Sequence, residues 1–239
     1  MKICRARKFR ARLSFFEAYM KIELHLHTSE ISLFCGKLTK EEVIDLYVKA
    51  GYDAIVITNH FSRGVADEMA ARHGITDFTG IYFDTLRQAA EIGRKKGILV
   101  LAGCELRFDC NANDYLVYGM DEELFRDREK LFRMTPAEFS TFAKDNGILF
   151  YQAHPFRNGM TVIQPEYLFG IEVQNTHPRH DSRNDIALAW AEKYGLHKIC
   201  GSDCHRVVDV GSSAIVTDHP VKDEKDLVHV LKNDLYTMI

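Results

Sequence analysis

The sequence has no long apolar segment and no paired-cysteine motif, and each absence argues against a class of protein. No apolar run approaches the ~18 residues of a membrane span, and no secretory h-region precedes the first strand, so neither a membrane protein nor a secreted one is expected. The six cysteines stand at positions 4, 35, 104, 110, 200 and 204 and form no Cys-x-x-Cys pair, which argues against a zinc ribbon. We expect reduced thiols and a cytoplasmic location.

Basic residues are scarce outside the first twenty positions. The 239 residues include 31 Lys and Arg against 34 Asp and Glu, a net charge of −3. Residues 1–20 hold 6 of these bases and 1 acid, so the other 219 residues carry 25 bases against 33 acids, a net charge of −8. An acidic body argues against a broad nucleic-acid-binding surface, and long nucleic acid is not an expected partner. It suits a site that concentrates cations.

Linkers, internal repeats and low-complexity segments are absent as well, so residues 20–239 are expected to form one domain. Residues 1–19 form a basic extension that resembles a targeting peptide or a disordered arm. The favoured interpretation is that Met20, which opens directly on the first predicted strand, is the natural start, and a short helical extension is the other. No feature of the sequence indicates the oligomeric state.

From Met20 onward, apolar strands alternate with amphipathic helices. Strands are predicted at 21–26, 53–58, 98–104, 115–119, 148–153, 170–174, 197–201 and 214–216. Helices are predicted at 40–50, 79–96, 122–132, 136–146, 184–194 and 224–232. Strands separated by helices indicate βα units and a parallel sheet. About seven such units in roughly 220 residues favour the α/β class and a distorted (β/α)7 TIM-like barrel, with residues 61–78 as a long loop at its substrate rim.

The first predicted strand carries two histidines two positions apart, His25 and His27. On an extended strand both imidazoles point to one face, while Leu24 and Leu26 point the other way into packing. Two imidazoles aimed at one point form a chelating pair, because neutral imidazole is a common metal ligand. Taken alone, the pattern fits two structural histidines equally well.

Polar residues of metal-binding types recur at the ends of the other strands. They are Asn59 and His60 after the second strand, Glu105 after the third, Asp114 just before the fourth, His154 after the fifth, Asn175 and His177 after the sixth, and Asp203 and His205 after the seventh. In β/α barrels, groups at the carboxyl ends of the strands share one rim, so these side chains predict a metal site there. Nitrogen and carboxylate ligands fit Zn²⁺, Mn²⁺ or Fe²⁺, and Glu105 could bridge two ions that clamp a phosphoryl group.

In this order, His-x-His-Thr, Ile-Thr-Asn-His, Gly-Cys-Glu, Ala-His-Pro and Gly-Ser-Asp-x-His resemble the motifs of the polymerase and histidinol phosphatase (PHP) family. The resemblance runs from about residue 21 to the carboxyl terminus. It implies a distorted (β/α)7 barrel in which two or three divalent metal ions hydrolyse phosphate esters. Matched motif by motif, it implies one ion bound by His25, His27, Glu105 and Asp203, with Glu105 as the bridge, a second bound by His154, and a third bound by His60 and His205.

The chain departs from the family pattern at a few positions. Glu23 and Asn59 stand where Asp is usual, and Asp114 stands where His is frequent, although a carboxylate can still bind a metal. The loop of residues 29–35, which often supplies a ligand to the third ion, has no clean match. Glu30 is the nearest candidate, and a solvated loop acid is an equal interpretation. These departures bear on whether a third metal ion binds more than on the expected hydrolysis of phosphate esters.

The function that these residues predict is a metal-dependent phosphoesterase acting on a small phosphorylated metabolite or nucleotide. The metals would hold phosphate oxygens and activate a water molecule for attack on phosphorus. Asp203 or His205 is the candidate that orients this nucleophile, and His177 is a candidate to assist the leaving oxygen. Arg157 and Arg179 are candidate substrate clamps, because a guanidinium fork suits a phosphate.

Two alternatives keep the barrel but change its role. An amidohydrolase would also use His-x-His on the first strand but usually needs a bridging Lys, and no Lys stands at a middle strand end. A degenerate metal-binding domain would lack turnover. The near-complete set of candidate ligands argues against the second alternative.

Overall fold

The computed structural model describes residues 19–239, and the predicted extension lies outside this range apart from Tyr19. The strands are β1 Met20–Leu26, β2 Ala54–Ile57, β3 His60–Phe61, β4 Leu99–Leu106, β5 Tyr115–Tyr118, β6 Leu149–Gln152, β7 Gly170–Asn175, β8 His197–Gly201, β9 Ile215–Thr217 and β10 Thr237–Met238. The α-helices are α1 Lys40–Lys49, α2 Arg63–His73, α3 Phe78–Lys96, α4 Glu122–Phe125, α5 Arg128–Arg133, α6 Pro136–Asp145, α7 Asn184–Tyr194 and α8 Glu224–Lys232.

Local sequence signals account for most of these bounds. Helices α1 and α6 both begin at capping boxes, in which Thr39 and Thr135 accept from a backbone N–H and the following glutamate accepts in return. Helix α3 ends at Gly97, whose φ of +78° suits glycine at a helix C-terminus. The predicted bounds of α7, β8 and α8 are those of the structure.

The strands form one strongly curved sheet in the order β10-β9-β1-β2-β4-β5-β6-β7-β8, with β3 paired to β4. The curve closes where β1, the third strand in this order, meets the segment after β8. There the amide of His27 donates to the carbonyl of Cys204 over 2.9 Å, and the two segments run parallel. The sheet is therefore a nearly closed barrel, and the predicted α/β barrel fold is confirmed.

The strand directions and one loop differ from the prediction. Strand β5 is antiparallel to both β4 and β6, because the chain turns back to it after β4 without an intervening helix. The fold is thus not a regular series of seven β/α units. The predicted rim loop 61–78 is wrong over most of its length, since it contains the end of β3 and all of α2. Ser62 caps α2 at its start and Gly74 ends it.

The apolar side chains form two layers. An inner cluster fills the barrel with residues such as Ile22 and Leu24 and is covered by Leu227 and Leu231 of α8. An outer cluster packs the helices against the sheet and includes Leu26. Leu24 and Leu26 therefore lie in different layers, and the pairing of β1 with β2 shifts register between Glu23 and Leu26. The shift interrupts the alternation expected of a regular strand.

No helix within residues 19–239 is long and apolar enough to cross a membrane.

Candidate metal centre

The carboxyl ends of the parallel strands bring the predicted ligands together in one buried cluster. His25 and His27 of β1 place their Nε2 atoms 3.2 Å apart. The Nε2 of His27 lies 3.4 Å from an oxygen of Glu105, at the end of β4, and 3.3 Å from an oxygen of Asp203, which follows β8. These side chains are at most 2% exposed. Residues up to 178 positions apart in sequence thus share one site.

Four overlapping groups of ligand atoms lie close enough to hold an ion, with all atoms in a group within 4.8 Å of one another. They are His25 with Glu105 and His154, His25 with His27 and Asp203, His27 with His60 and Glu105, and His177 with Asp203 and His205. Since neighbouring groups share members, the arrangement suits a cluster of ions better than one isolated ion.

Glu105 is the centre of this cluster. One of its oxygens accepts from His154 Nε2 over 3.0 Å and lies 3.5 Å from His25 Nε2. The other lies 2.8 Å from His60 Nδ1 without a hydrogen bond and has no hydrogen-bond partner among the described residues. An unpartnered, buried carboxylate oxygen is costly unless a cation balances it. The donor set therefore fits divalent ions, with His25 and His154 on one side of Glu105 and His27 and His60 on the other.

Glu172 orients the imidazole of His25 from the side that faces away from the cluster. One of its oxygens accepts from His25 Nδ1 over 2.9 Å, so Nε2 of His25 faces the cluster. Its other oxygen accepts from the backbone amide of His154 over 2.9 Å and from Asn175 over 3.0 Å. A carboxylate behind a metal-binding imidazole fixes the ring and its tautomer. The sequence analysis did not identify Glu172, although this residue lies in the sequence between the candidates His154 and His177.

Gly201, at the end of β8, makes this arrangement possible. A Cβ there would lie 2.3 Å from the Cβ of His25 and 2.8 Å from an oxygen of Glu172. Both contacts are shorter than van der Waals distance, so any side chain at this position would displace the imidazole.

Charge is balanced inside the cluster. Burial raises the pKa of the Glu105 carboxyl, but the charges of His60 and His25 and a hydrogen bond from His154 outweigh it, so its pKa lies well below the ordinary value. Asp203 behaves in the same way, because His25 opposes the effect of burial and lowers its pKa. Both carboxylates are therefore ionised and ready to bind a cation.

The histidines of the cluster divide into two sets, one with raised and one with lowered pKa values. Burial lowers the pKa of His205, but its hydrogen bond to Asp203 prevails and the pKa is about 9. His25 and His60 also have raised pKa values, because nearby carboxylates outweigh burial. Burial and the neighbouring charges of His205 and His60 hold the pKa of His27 well below its usual range. Burial lowers the pKa of His177 to about 4.

The two predicted clamps make different contacts. Arg157 donates from Nη2 to Asp203 over 2.7 Å and to Asn175 over 2.9 Å, while its buried Nε–H has no partner among residues 19–239. Arg179 forms a double ion pair with Asp209, at 2.8 and 2.7 Å. Arg157 therefore retains an N–H group beside the cluster, whereas the charge of Arg179 is largely matched.

His177 lies in the cluster but is not arranged as a proton donor. The side chain of Arg179 donates to its Nε2 over 2.9 Å, and the Arg179 amide contacts its Nδ1 at 3.3 Å. His177 also belongs to a candidate ligand group with Asp203 and His205.

Asp114 and Glu30 lie outside the four groups. Both oxygens of Asp114 accept from Arg107 over 2.7 Å. Glu30 accepts from the backbone amide and the ammonium of Lys40, at the start of α1. The structure thus assigns Glu30 to a helix N-terminus, where a carboxylate is favourable, and the interpretation of Glu30 as a metal ligand is not supported.

The loop after His27 reaches the cluster through Ser32 and Cys35 instead. Ser32 Oγ lies 3.2 Å from His27 Nδ1, and Cys35 Sγ lies 3.2 Å from His60 Nε2. Burial raises the pKa of the Cys35 thiol, but hydrogen bonds with His205 and His60 outweigh it and the pKa is about 6. The sequence analysis missed Cys35. In contrast, Cys104 and Cys204 are buried in the core.

Glu23 lies beneath the cluster. It accepts from the backbone amides of His25 and Ser202, both over 3.0 Å, and from the Tyr47 hydroxyl over 3.0 Å. Burial raises the pKa of its carboxyl despite these bonds. Glu23 thereby ties β1 to the segment that carries Asp203.

A cavity of about 410 Å³ opens beside the cluster, and basic side chains contribute to its lining. Its lining contains no carboxylate and consists of Phe34, Cys35, Lys37, His177, Arg179, His180, His205 and Arg206. Phe34 and Cys35 also line a second cavity of about 300 Å³, together with His60, Arg107 and Asp114. The tip of this loop therefore separates two openings at the rim of the barrel, and Phe34 is 58% exposed between them.

Comparison with known proteins supports the resemblance seen in the motifs. The family model described as PHP-associated matches residues 181–234, which include α7, β8 and the segment with Asp203 and His205. None of the curated proteins compared matches the chain.

Solved structures share the fold at low sequence identity. PsfC from Pseudomonas syringae superposes with a TM-score of 0.60 and 18% identity over 88% of each chain. A two-domain Bacteroides vulgatus protein, described as containing a predicted PHP-like metal-dependent phosphoesterase, has a TM-score of 0.59 and 20% identity over 93% of this chain and 65% of that one. PfuEndoQ, a lesion-specific endonuclease from Pyrococcus furiosus, has a TM-score of 0.60 and 15% identity over 90% of this chain and 56% of its own.

Proposed function

We propose that this chain is a member of the PHP family and a metal-dependent phosphoesterase acting on a small phosphorylated metabolite or nucleotide. The observation that carries the proposal is the convergence of four ligand groups on Glu105 and Asp203, two buried carboxylates. Side chains from β1 and from the segment after β8, which meet where the barrel closes, both contribute to these groups. An arrangement with unpartnered ligand atoms at its centre is suited to several ions rather than to structural stability.

Divalent ions bound there would supply Lewis acidity toward phosphate oxygens and lower the pKa of a bound water molecule. From the four overlapping groups we propose three ion positions. The number of ions and the identity of the metal are both part of this proposal. Glu105 would serve two positions, with His154 at one and His60 at the other. His177 and His205, with Asp203, would serve the position nearest the charged cavity.

Arg157 is the protein group best placed to hold a phosphoryl oxygen. It reaches Asp203 with one nitrogen and keeps its Nε–H without a partner. The guanidinium is fixed in place by Asn175 and Ser182, at 2.9 and 3.4 Å. A fixed fork with one N–H to spare can orient a phosphoryl group for in-line attack at little entropic cost. Asp203 would in turn orient the attacking water.

The surroundings favour a small anion as substrate. The 410 Å³ cavity is lined by Lys37, Arg179 and Arg206 without any carboxylate, although residues outside the extension are acidic overall. Such a contrast concentrates a small anion at the site and repels a long polyanion from the rest of the surface. Phe34 at the cavity edge offers a face for a planar ring. A nucleotide or an imidazole-bearing phosphomonoester such as histidinol phosphate fits these features.

The experiment is turnover of p-nitrophenyl phosphate and of a panel of phosphorylated metabolites by protein loaded in turn with Zn²⁺, Mn²⁺ and Fe²⁺. We expect metal-dependent release of phosphate, and a loss of at least ~100-fold in His25→Ala. Arg87→Ala is the matched control, because Arg87 is exposed and pairs with the exposed Asp84 and the half-buried Glu122, outside the four groups. Inert protein with every metal, or unchanged turnover in His25→Ala, would reject the proposal. Turnover of amides without phosphatase activity would favour the amidohydrolase alternative.

A further inference from the structure

The loops after β1 and β8 meet beside the 410 Å³ cavity and bring Lys37 next to Arg206. The amide of Lys37 donates to the carbonyl of His205 over 3.0 Å. The carbonyl of the next residue, Leu38, accepts from the amide of Ser29 over 2.8 Å, so the backbone around position 37 is fixed. Lys37 and Arg206 therefore lie on neighbouring segments, and both side chains line the cavity.

Asp209 fixes the backbone at Arg206 but balances the charge of a different residue. Its buried carboxylate accepts from the amide of Arg206 over 2.9 Å. The same carboxylate accepts from both terminal guanidinium nitrogens of Arg179, at 2.8 and 2.7 Å. Asp209 thus forms its ion pair with Arg179 and holds Arg206 only by the backbone.

The charges of Lys37 and Arg206 have no acidic partner in the described part of the chain. Neither side chain forms an ion pair with a carboxylate of residues 19–239, and no carboxylate lines the cavity. Both residues are exposed. Two like charges at one cavity repel each other unless an anion lies between them. The cavity is therefore suited to an anionic group that both side chains can contact.

The phosphoryl group that reacts does not require these two cations. In the proposed function it is held at the metal positions and by Arg157, which contacts Asp203 over 2.7 Å and does not line the cavity. A volume of 410 Å³ lies within the range of pockets that take whole small molecules, about 300–1,000 Å³. The cavity therefore has room for a further part of the substrate.

We propose that Lys37 and Arg206 bind a second oxyanion of the substrate, so that the preferred substrate is a phosphomonoester whose alcohol carries a further phosphate or carboxylate. This inference rests on the proposed function. In the reaction, a water oxygen bonds to phosphorus, the bond from phosphorus to the alcohol oxygen breaks, and that oxygen takes up a proton. The second oxyanion stays on the alcohol and leaves with it.

The second oxyanion is separate from the bond that breaks, so its contacts are equally strong in the bound substrate and in the transition state. Contacts of this kind lower KM and leave kcat nearly unchanged. Loss of a metal ligand, or of a group that assists the leaving oxygen, would instead lower kcat. The division between KM and kcat therefore separates this role from the others at the site.

The first test is calorimetric binding to the full chain loaded with Mn²⁺, which needs no turnover. The probes are butylphosphonate, which has one oxyanion, and butane bisphosphonate, which has two. We expect the bisphosphonate to bind about tenfold more tightly, since hydrogen bonds between charged groups contribute that much. In Lys37→Met and in Arg206→Met the ratio of the two affinities should fall toward one. Lys37→Arg and Arg206→Lys should keep most of it.

The second test is steady-state kinetics on two matched pairs of esters. Phosphoglycerate is compared with glycerol phosphate, and butanediol bisphosphate with hydroxybutyl phosphate. The ester with two oxyanions should have the lower KM at a similar kcat, and Lys37→Met should raise its KM more than that of its partner. A preference in one pair only would uphold the proposal for that oxyanion, carboxylate or phosphate.

Lys222→Met is the matched control, because Lys222 is an exposed lysine that lines neither cavity. It should leave the ratio of affinities unchanged, and circular dichroism melting checks that each variant is folded. Equal affinities for the two phosphonates in the unmodified protein would overturn the proposal. An unchanged ratio in the double variant Lys37→Met, Arg206→Met would overturn it as well.

The two proposals can fail separately. A protein that hydrolyses no phosphate ester, yet prefers the bisphosphonate through Lys37 and Arg206, would reject the proposed function and uphold the oxyanion site. Turnover of phosphate esters without any preference for a second oxyanion would reject this inference and uphold the proposed function.

Discussion

Glu172 and His25 are 147 positions apart, and an oxygen of Glu172 accepts from Nδ1 of His25 over 2.9 Å. This bond directs Nε2 of His25 toward Glu105 and Asp203. The same carboxylate holds the backbone of His154, so it sets the positions of two candidate ligands at once. The geometry of the cluster therefore depends on a residue that is not itself among the four groups.

Glu172→Gln should weaken metal binding by about 10–100-fold, because an amide retains the shape of the carboxylate but supports the imidazole less strongly. Competition with a coloured chelator measures the affinity. Glu166→Gln serves as the control, since Glu166 is exposed and its side chain is remote from the groups. Equal affinity in both variants would show that the orientation of His25 does not depend on this carboxylate.

Gly201→Ala should lower both stability and metal affinity. The added methyl would lie 2.3 Å from the Cβ of His25 and 2.8 Å from an oxygen of Glu172, so one of these groups must shift. Overpacking of this kind typically costs about 1–3 kcal/mol. Thermal unfolding and metal titration check it.

The control for that change is Gly64→Ala in α2, where an added Cβ meets no atom within 4 Å. This variant should be neutral or more stable, by up to about 1 kcal/mol. If Gly201→Ala were as stable and as tightly metal-binding as Gly64→Ala, the close packing described at His25 would be wrong.

Arg157→Lys should lower kcat/KM for phosphate esters by about 10–100-fold, since an ammonium cannot hold Asp203 and a phosphoryl oxygen as one fork. Arg157→Ala should be worse, because Asp203 and Asn175 each lose one of their donors and Asp203 loses its guanidinium partner. Steady-state kinetics with added metal at saturation separate this effect from metal loss. A change confined to the metal requirement would assign Arg157 to the ligands rather than to the substrate.

Metal affinity should rise with pH between about 6 and 9. In the metal-free protein His205 has a pKa of about 9, so it carries a proton at neutral pH that an incoming ion must displace. Each displaced proton makes the affinity about tenfold stronger per pH unit below that pKa. Calorimetric titrations in two buffers of different ionisation enthalpy count the protons. Binding without proton release at pH 7 would contradict the raised pKa.

Phe34→Ala should raise KM for nucleotide substrates by several-fold while leaving KM for an acyclic phosphomonoester unchanged. The side chain is exposed between the two cavities, where an aromatic face can stack on a base, a contact worth about 1–3 kcal/mol per base. Val208→Ala is the control, since this apolar side chain is also exposed. An equal rise in KM for both kinds of substrate would show that Phe34 does not recognise the ring.

Most of the barrel and most of the cluster could be read from the sequence. An apolar run that ends in His, Asp or Glu indicates both a strand and a polar side chain at the rim of the barrel. This pattern predicts the candidate ligands His25, Glu105, His154 and Asp203 from the sequence alone. Capping signals such as Thr135 give helix starts because they act within one turn. The predicted loop 61–78 is wrong because it contains a helix, α2, which Ser62 caps at its start and Gly74 ends.

Only the tertiary structure decided which polar side chains act together. Asp114 matches a ligand position in the sequence, but its carboxylate accepts hydrogen bonds from Arg107. The carboxylate of Glu30 accepts from the backbone amide at the start of α1. Cys35 and Glu172 carry no motif, yet they contact His60 and His25 because chain segments distant in sequence are packed within hydrogen-bond reach. Strand ends are set by local patterns, whereas partners across the barrel are set by packing, which no local pattern records.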